Sequence, residues 1–295
     1  MSADASFGVA SRGGLVAPRD RQLIRELLKE IAAVTDDLTN LAVGRLPTVG
    51  SIGDLQLHDV VNAGLPITSS LVRSAHVSLI FANAAGAEHT RAFLNSVNSK
   101  RFSFSLATLT RGALEAFAKS HFLLSSAGAG ELLSRHISLT SSEMIAAGKH
   151  NTFTNQMGIV VDVTAHVQAA KKSLASLNLP FITGPDVGVT KLTTKLLDDS
   201  ADSGKSRQFY SQLSGVAHGE SAALGMFLVA NLGDVKFRIP RELVAEYAGM
   251  LCASCVLVVD RMVEMFGLET EHQTRWNGAK ARADVALKKL QAMFP

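Results

Sequence analysis

The segment RQFYSQLSGVAHGE, residues 207–220, carries several side chains capable of chemistry within a single predicted helix. Steps of three, four and four residues place four of them on one stripe of that helix: Arg207, Tyr210, Ser214 and His218. An imidazole can act as an acid, a base or a ligand near neutral pH, and a neighbouring hydroxyl can orient it. His218 is therefore a candidate acid or base. The alternative is a buried histidine that is hydrogen-bonded to backbone near a helix end.

A charged pair lies in TLTRGALEAFAKSHFLL, the most apolar predicted helix of the chain. Arg111 and Glu115 are four residues apart, so they share a face, and we expect that face to be buried. A buried charge pair is costly unless its hydrogen bonds are satisfied, so such residues hold a network or a site together. We favour an internal ion pair that anchors helix packing over a catalytic role.

Both helices carry polar groups on faces that are otherwise apolar, and buried polar groups need partners. The simplest solution is that the helix of residues 99–125 and the helix of residues 204–218 satisfy each other. We therefore expect four side chains to meet in one pocket between them: Arg111, Glu115, Tyr210 and His218. A sealed network would favour a structural role, and an open cleft would favour a functional site.

The two helices together resemble a known group of proteins. An R-x-x-x-E helix in an apolar context, followed by a later Y-x-x-L-S-x-x-x-H helix, looks like uncharacterised bacterial all-α proteins similar to the HEPN superfamily. That superfamily includes RNA-cutting toxins, phage-defence effectors and non-catalytic binding modules. The resemblance implies an RNA partner, a homo-oligomer such as a homodimer and, if the protein is an enzyme, a metal-independent ribonuclease. The matching residues are Arg111, Glu115, Tyr210, Leu213, Ser214 and His218.

The chain departs from the catalytic pattern of this superfamily at one point. HEPN nucleases carry an arginine and a histidine about four to six residues apart on one helix, where both can hold one phosphate. Here Arg207 precedes His218 by eleven residues, roughly 16 Å of helical rise, so the two cannot share a phosphate. A nuclease would need Arg111, or an arginine of a second subunit, beside His218. His218 would then act as general acid or base, and Arg111 would stabilise the charge of the phosphorane.

Two functions from different classes remain open. The first is a HEPN-like protein that acts on or binds RNA, as a stress or phage-defence effector. The second is a non-catalytic interaction or ligand-binding protein in which the same residues form a structural network. A basic stripe near the C-terminus, with Arg275, Arg282 and Lys289 at intervals of seven, favours the first. The missing arginine–histidine spacing favours the second.

Two other motifs are interpreted as structural. Cys252 and Cys255 form a C-x-x-C in the middle of an apolar helix without a second pair, which indicates two buried, inert thiols. Residues 200–206, SADSGKS, end like a phosphate-binding loop but lack its first glycine and a preceding strand. We interpret them as a turn in which Asp202 or Ser203 caps the next helix. No HExxH and no pair of ExxH motifs occurs, so we expect neither a metal nor a cofactor.

The hydrophobic periodicity predicts an all-α bundle of about nine or ten helices with short loops. Residues 1–17 are interpreted as a mobile tail and residues 18–295 as a single domain, with a loop rich in proline and glycine at 178–188. One short strand is expected at 235–239. Residues 153–177 are expected to be helical, although IVVDV within them has strand propensity.

The composition sets further bounds. Of 295 residues, 47% are apolar and 19% are charged, so disorder cannot dominate. The mean hydropathy is +0.19, but the longest apolar run, residues 247–259, is shorter than the roughly 20 residues that a membrane span needs. With two cysteines and no apolar leader near the N-terminus, we expect a cytoplasmic protein. The net charge of +3 permits nucleic-acid binding without requiring it.

Overall fold

The structure is a computed structural model, and it describes most of the chain. The described residues are 17–44, 47–62, 69–98, 104–147, 152–154, 158–201, 204–231, 234–237, 240–268 and 270–293. The expected tail of residues 1–17 lies, up to residue 16, outside them.

The expectation of an all-α bundle is confirmed. The described residues form eleven α-helices: α1 Pro18–Gly44, α2 Ile52–Asn62, α3 Ser69–Asn98, α4 Ser105–Leu124, α5 Ala129–Ala147, α6 Val163–Ser176, α7 Val189–Ala201, α8 Ser206–Ala217, α9 Ser221–Gly225, α10 Arg241–Phe266 and α11 Thr270–Met293. A short 3₁₀-helix at Gly184–Val187 lies in the loop that the sequence indicated at 178–188. One continuous core includes buried side chains of α1, α3, α4, α5, α7, α8, α10 and α11.

The strands differ from the expectation because each pairs within a local hairpin. β3 (Leu228–Asn231) and β4 (Asp234–Phe237) are antiparallel, so the strand expected at 235–239 begins at Asp234 and has a partner strand that was not expected. β1 (Thr152–Thr154) pairs with β2 (Val160–Asp162) in the same way, and the helix expected from residue 153 begins only at Val163. A short strand needs a neighbour for its backbone hydrogen bonds, which a helical period in the sequence does not reveal.

The start of α6 has a local cause. Asp162 has an extended backbone and its carboxylate accepts a hydrogen bond from the backbone N–H of Ala165 at 2.8 Å. This N-cap satisfies one of the amide groups that a helix start leaves without a partner. The cap therefore begins the helix ten residues later than its hydrophobic period suggested.

Helix α10 is the centre of the bundle. It packs against α1, α2, α3, α4, α7 and α11, and its buried side chains extend from Leu243 to Phe266. Among the described residues it is the one helix long and apolar enough to cross a membrane, with 56% of its most apolar window buried inside the protein. The core helix of a soluble protein passes the same test of length and composition. The described residues therefore do not contain the many membrane-spanning helices of a polytopic membrane protein.

Helix α4 lies next to α10 and carries the first half of the candidate site. It packs along α3, where Gly86 leaves room for the ring of Phe117, since a Cβ at Gly86 would lie 2.6 Å from that ring. It also contacts α7 and α8. The close contact with α3 buries one side of α4 and turns the side of Arg111 and Glu115 toward α8.

Candidate functional site

Three hydrogen bonds form one polar cluster, one of them within α4 and two between α4 and α8 with its C-cap. Nε of Arg111 donates to Oε1 of Glu115 at 2.6 Å, and the phenol of Tyr210 donates to the same oxygen at 2.7 Å. Nη1 of Arg111 lies 3.0 Å from Nε2 of His218. A guanidinium has only donors, so the imidazole accepts this hydrogen bond through its lone pair. The expectation that the four side chains meet between the two helices is confirmed.

Burial of one face of α8 holds the cluster together. Phe209, Leu213 and Val216 are buried, and the ring of Phe209 meets that of Tyr247 of α10 edge to face, with centroids 5.9 Å apart. Such aromatic and aliphatic contacts supply the apolar burial that docks a helix on a core. Docking on this face leaves the stripe of Tyr210 directed at α4.

A Schellman motif places His218 at the C-terminal end of α8. The N–H of Glu220 donates to the carbonyl of Gly215 at 2.9 Å, and the N–H of Gly219 donates to that of Val216 at 3.1 Å. Gly219 has φ +72°, a conformation that glycine adopts without a Cβ clash. His218 occupies the cap position just before it, where the last turn of the helix fixes its backbone.

The cluster is buried at one end and open at the other. Tyr210 is 4% exposed, the side chains of Arg111 and Glu115 are 20% and 25% exposed, and His218 is exposed. The sequence expectation of a buried Arg111–Glu115 face is therefore corrected to a half-buried one, because α8 covers the face only as far as its last turn. Solvent therefore reaches the imidazole.

The charges of the cluster support one another. Burial opposes the charge of Arg111, but the hydrogen bond and the negative charge of Glu115 outweigh it and raise the pKa of the guanidinium. Burial, together with the hydrogen bond to Glu115, raises the pKa of Tyr210, so its phenol stays protonated and keeps donating. The guanidinium carbon also lies 5.9 Å from the centre of the Tyr210 ring. Arg111 is thereby held cationic and in one orientation.

Two residues of the predicted stripe take no part in these hydrogen bonds. The hydroxyl of Ser214 makes none of the three, although its backbone carbonyl accepts from the N–H of His218 at 3.0 Å. Arg207 is exposed at the start of α8 and is likewise absent from them. Ser214 therefore contributes to the site through its backbone carbonyl, which accepts the hydrogen bond from the N–H of His218.

Sequence reasoning missed two further titratable residues next to the cluster. His89 of α3 packs against Gly112, where a Cβ would lie 3.0 Å from its Nε2. Glu220 folds back over Gly215, with Oε2 3.0 Å from the place of a Cβ. Gly112, beside Arg111, is the one sequence signal that another side chain approaches this part of α4. The glycine does not identify the approaching residue as His89.

The basic stripe on α11 is largely neutralised. Arg275 forms an ion pair with Asp37 at 2.6 Å, and Arg282 forms one with Glu30. Both acids belong to α1, which packs along α11. The stripe therefore serves the contact between these helices, and it supports RNA binding less than the sequence suggested.

The remaining motifs have structural surroundings. Cys252 and Cys255 are free and buried, and burial raises the pKa of each thiol to about 12, so neither is a reactive thiolate. The proposed caps Asp202 and Ser203 lie outside the described residues, and Lys205 stands at the N-cap of α8 without a side-chain cap. Among the described residues, no group of three or more His, Cys, Asp or Glu side chains is placed to hold a metal ion.

Comparison with known proteins does not place the chain in a family: no protein-family model, curated protein or solved structure matches it.

Proposed function

We propose that this protein binds RNA and cleaves it at the open end of the Arg111–His218 pair. One observation carries the proposal: Nη1 of Arg111 lies 3.0 Å from Nε2 of the exposed His218. Cleavage of a phosphodiester is catalysed by a base, which activates the attacking hydroxyl, and by a cation, which stabilises the negative charge on the phosphate. Here the two groups lie side by side at the surface. They supply across two helices what Arg207 and His218 cannot supply within one.

The chemistry follows from the hydrogen bond between the two residues. An arriving phosphate oxygen would accept the hydrogen bond from Nη1–H of Arg111 in place of His218. The lone pair of the imidazole would then be free. The imidazole would then remove the proton of the ribose 2′-hydroxyl, whose oxygen attacks the adjacent phosphorus. The bond to the 5′-oxygen breaks, the proton passes to that oxygen, and the products are a 2′,3′-cyclic phosphate and a 5′-hydroxyl. Arg111 stabilises the added negative charge of the transition state.

Glu115 and Tyr210 are positioning residues in this scheme. Oε1 of Glu115 accepts hydrogen bonds from Nε of Arg111 and from the phenol of Tyr210. These bonds hold the guanidinium with one edge toward His218. No metal ion is required, because the positive charge comes from the arginine.

A second function is favoured by the same network. Both Nε of Arg111 and the phenol of Tyr210 donate to Oε1 of Glu115. The bond from Tyr210 stabilises the packing of α4 against α8 whether or not anything reacts. On this alternative the protein is a non-catalytic interaction or ligand-binding module.

End-labelled RNA incubated with the purified protein in EDTA separates the two functions. We expect cleavage to 2′,3′-cyclic phosphate ends and a loss of about 10²-fold or more for His218→Ala. His166→Ala is the matched control, because His166 is exposed on α6, and it should cleave at the wild-type rate. RNA that is bound but intact would favour the binding module, and RNA neither bound nor cut would refute the proposal.

The wider biology belongs to the same proposal. We propose a cytoplasmic homo-oligomer that acts as a stress or phage-defence effector. Light scattering on the purified protein tests the assembly, and a mass equal to one chain at all concentrations would reject it.

A further inference from the structure

A separate cavity of about 460 Å³ lies at the other end of α4. Leu124, on its wall, is roughly 20 Å of helical rise from Arg111, so the cavity is distinct from the cluster. Its walls are α2, the turn between α4 and α5 and the last turns of α10. The volume falls within the range of sites for small molecules and equals that of about 15 waters.

The walls of this cavity are held in place without a ligand. The N–H of Thr48 donates to the carbonyl of Phe266 at 3.0 Å, and its hydroxyl donates to that of Gly267 at 2.7 Å. The start of α2 then packs on the end of α10 so closely that a Cβ at Gly53 would lie 2.9 Å from the carbonyl of Met265. The relation between α2 and α10 is therefore set by backbone contacts, and the cavity is preformed.

One residue of the cavity wall, Gln56, carries a buried polar atom that lacks a partner in the described part of the chain. Gln56 is 2% exposed, and its Oε1 lies 3.1 Å from Nε2 of the buried His76. Its Nε2 has no hydrogen bond among the described residues. A buried amide without a hydrogen-bond partner destabilises the folded protein. A ligand oxygen that reaches this amide from the cavity would supply the missing acceptor.

Charged side chains of both signs border the same space. Arg261 lines the cavity and is half-buried, and none of the ion pairs between described residues includes it. Asp59 and Glu264, both exposed, lie on the wall as well. A simple anion would satisfy Arg261 but would add to two negative charges, whereas a ligand that carries both signs satisfies all three.

The rest of the wall consists of apolar side chains, those of Ile52, Leu55, Leu124 and Met265, and of the small residues of the turn at 125–128. We propose that this cavity binds a small zwitterion with an apolar side chain, of the class of the free hydrophobic amino acids. Arg261 and the Gln56 amide bind its carboxylate, Asp59 and Glu264 bind its ammonium group, and the apolar wall covers its side chain.

Three related compounds test the proposal on the full-length protein by isothermal titration calorimetry. L-phenylalanine carries both charges, 3-phenylpropionate lacks the ammonium group and phenethylamine lacks the carboxylate. We expect L-phenylalanine to bind with a saturable heat and each analogue to bind at least tenfold more weakly. No heat with L-phenylalanine, or equal affinity for either analogue, overturns the proposal.

Two variants locate the binding. Arg261→Gln and, separately, Asp59→Asn should each weaken L-phenylalanine binding at least tenfold, because each removes one charge of the site. Arg73→Gln is the control, because Arg73 is exposed on α3 outside the cavity lining, and its affinity should equal that of the wild type. Circular dichroism confirms that each variant is folded. Unchanged affinity in both site variants overturns the proposal.

Discussion

The guanidinium of Arg111 lies 3.0 Å from the imidazole of His218, although 107 residues separate them in the chain. The contact joins the middle of α4 to the C-terminal cap of α8. Each residue is held from a different side, Arg111 by Glu115 and Tyr210, and His218 by the cap of its helix. The pair therefore exists only as long as α4 and α8 keep their relative positions, and variants at either helix should disturb it.

Arg111→Ala should lower the free energy of unfolding by about 1–3 kcal/mol, because it leaves the Glu115 carboxylate without its cation. The 20% exposure of the arginine keeps this below the roughly 3–5 kcal/mol of a fully buried pair. Urea denaturation measures the change. Glu26→Ala is the control, since Glu26 is exposed on α1, and it should cost no more than about 0.5 kcal/mol. Equal midpoints for the two variants would contradict this account of α4.

A double-mutant cycle should show that Tyr210 and Glu115 act together. Tyr210→Phe removes the donor of the 2.7 Å hydrogen bond and Glu115→Gln removes the charge of its acceptor. Residues in direct contact couple by roughly 0.5–3 kcal/mol. We expect a coupling of about 1 kcal/mol or more from chemical denaturation, because one partner of the bond is a carboxylate. Strict additivity of the two substitutions would mean that the bond does not stabilise the protein in solution.

Gly219→Ala should destabilise the protein by about 1–2 kcal/mol, because a Cβ is strained at φ +72°. It should also displace His218, and with it any activity of the site. Gly225→Ala is the matched control: Gly225 lies in α9, has no positive φ, and nothing lies within 4 Å of an added Cβ. Melting temperatures of both variants test the expectation. A Gly219→Ala protein as stable as the control would show that the cap does not constrain the chain.

Acid should destabilise the protein through buried His76. Burial lowers the pKa of this imidazole from its usual 6.5 to about 4, so between these values the unfolded chain binds a proton that the folded protein does not. Its contribution to stability is therefore complete above about pH 6.5 and is lost as the pH falls toward 4. Between pH 7 and pH 5 the loss amounts to about 2 kcal/mol.

Urea midpoints at pH 7 and pH 5 measure this loss. Burial also lowers the pKa values of His121 and His136, so the wild type loses more than the share of His76. His76→Gln keeps a hydrogen-bonding group for Gln56 and should reduce the pH dependence, whereas His166→Gln, at an exposed histidine of α6, should leave it unchanged. An identical pH dependence in wild type and His76→Gln would contradict the assignment.

Local patterns in the sequence determined the helices and the composition of the site. The four-residue step between Arg111 and Glu115 depends on helical geometry alone, and so does the stripe that carries Tyr210 and His218. The need of buried polar groups for partners was enough to predict that the two helices meet, because few other groups on their apolar faces could satisfy them.

The tertiary structure decided what local periodicity does not encode. The depth of the cluster depends on how far α8 extends over α4, and this left Arg111 half-buried and His218 in solvent. Each strand of the hairpins β1–β2 and β3–β4 depends on hydrogen bonds to its partner strand, and the sequence of one strand does not show where that partner lies. Arg275 and Arg282 resembled a basic surface until α1 brought Asp37 and Glu30 against them. The sequence does not show which residues form ion pairs with charges that repeat along a helix, because the packing of a second helix decides the partners.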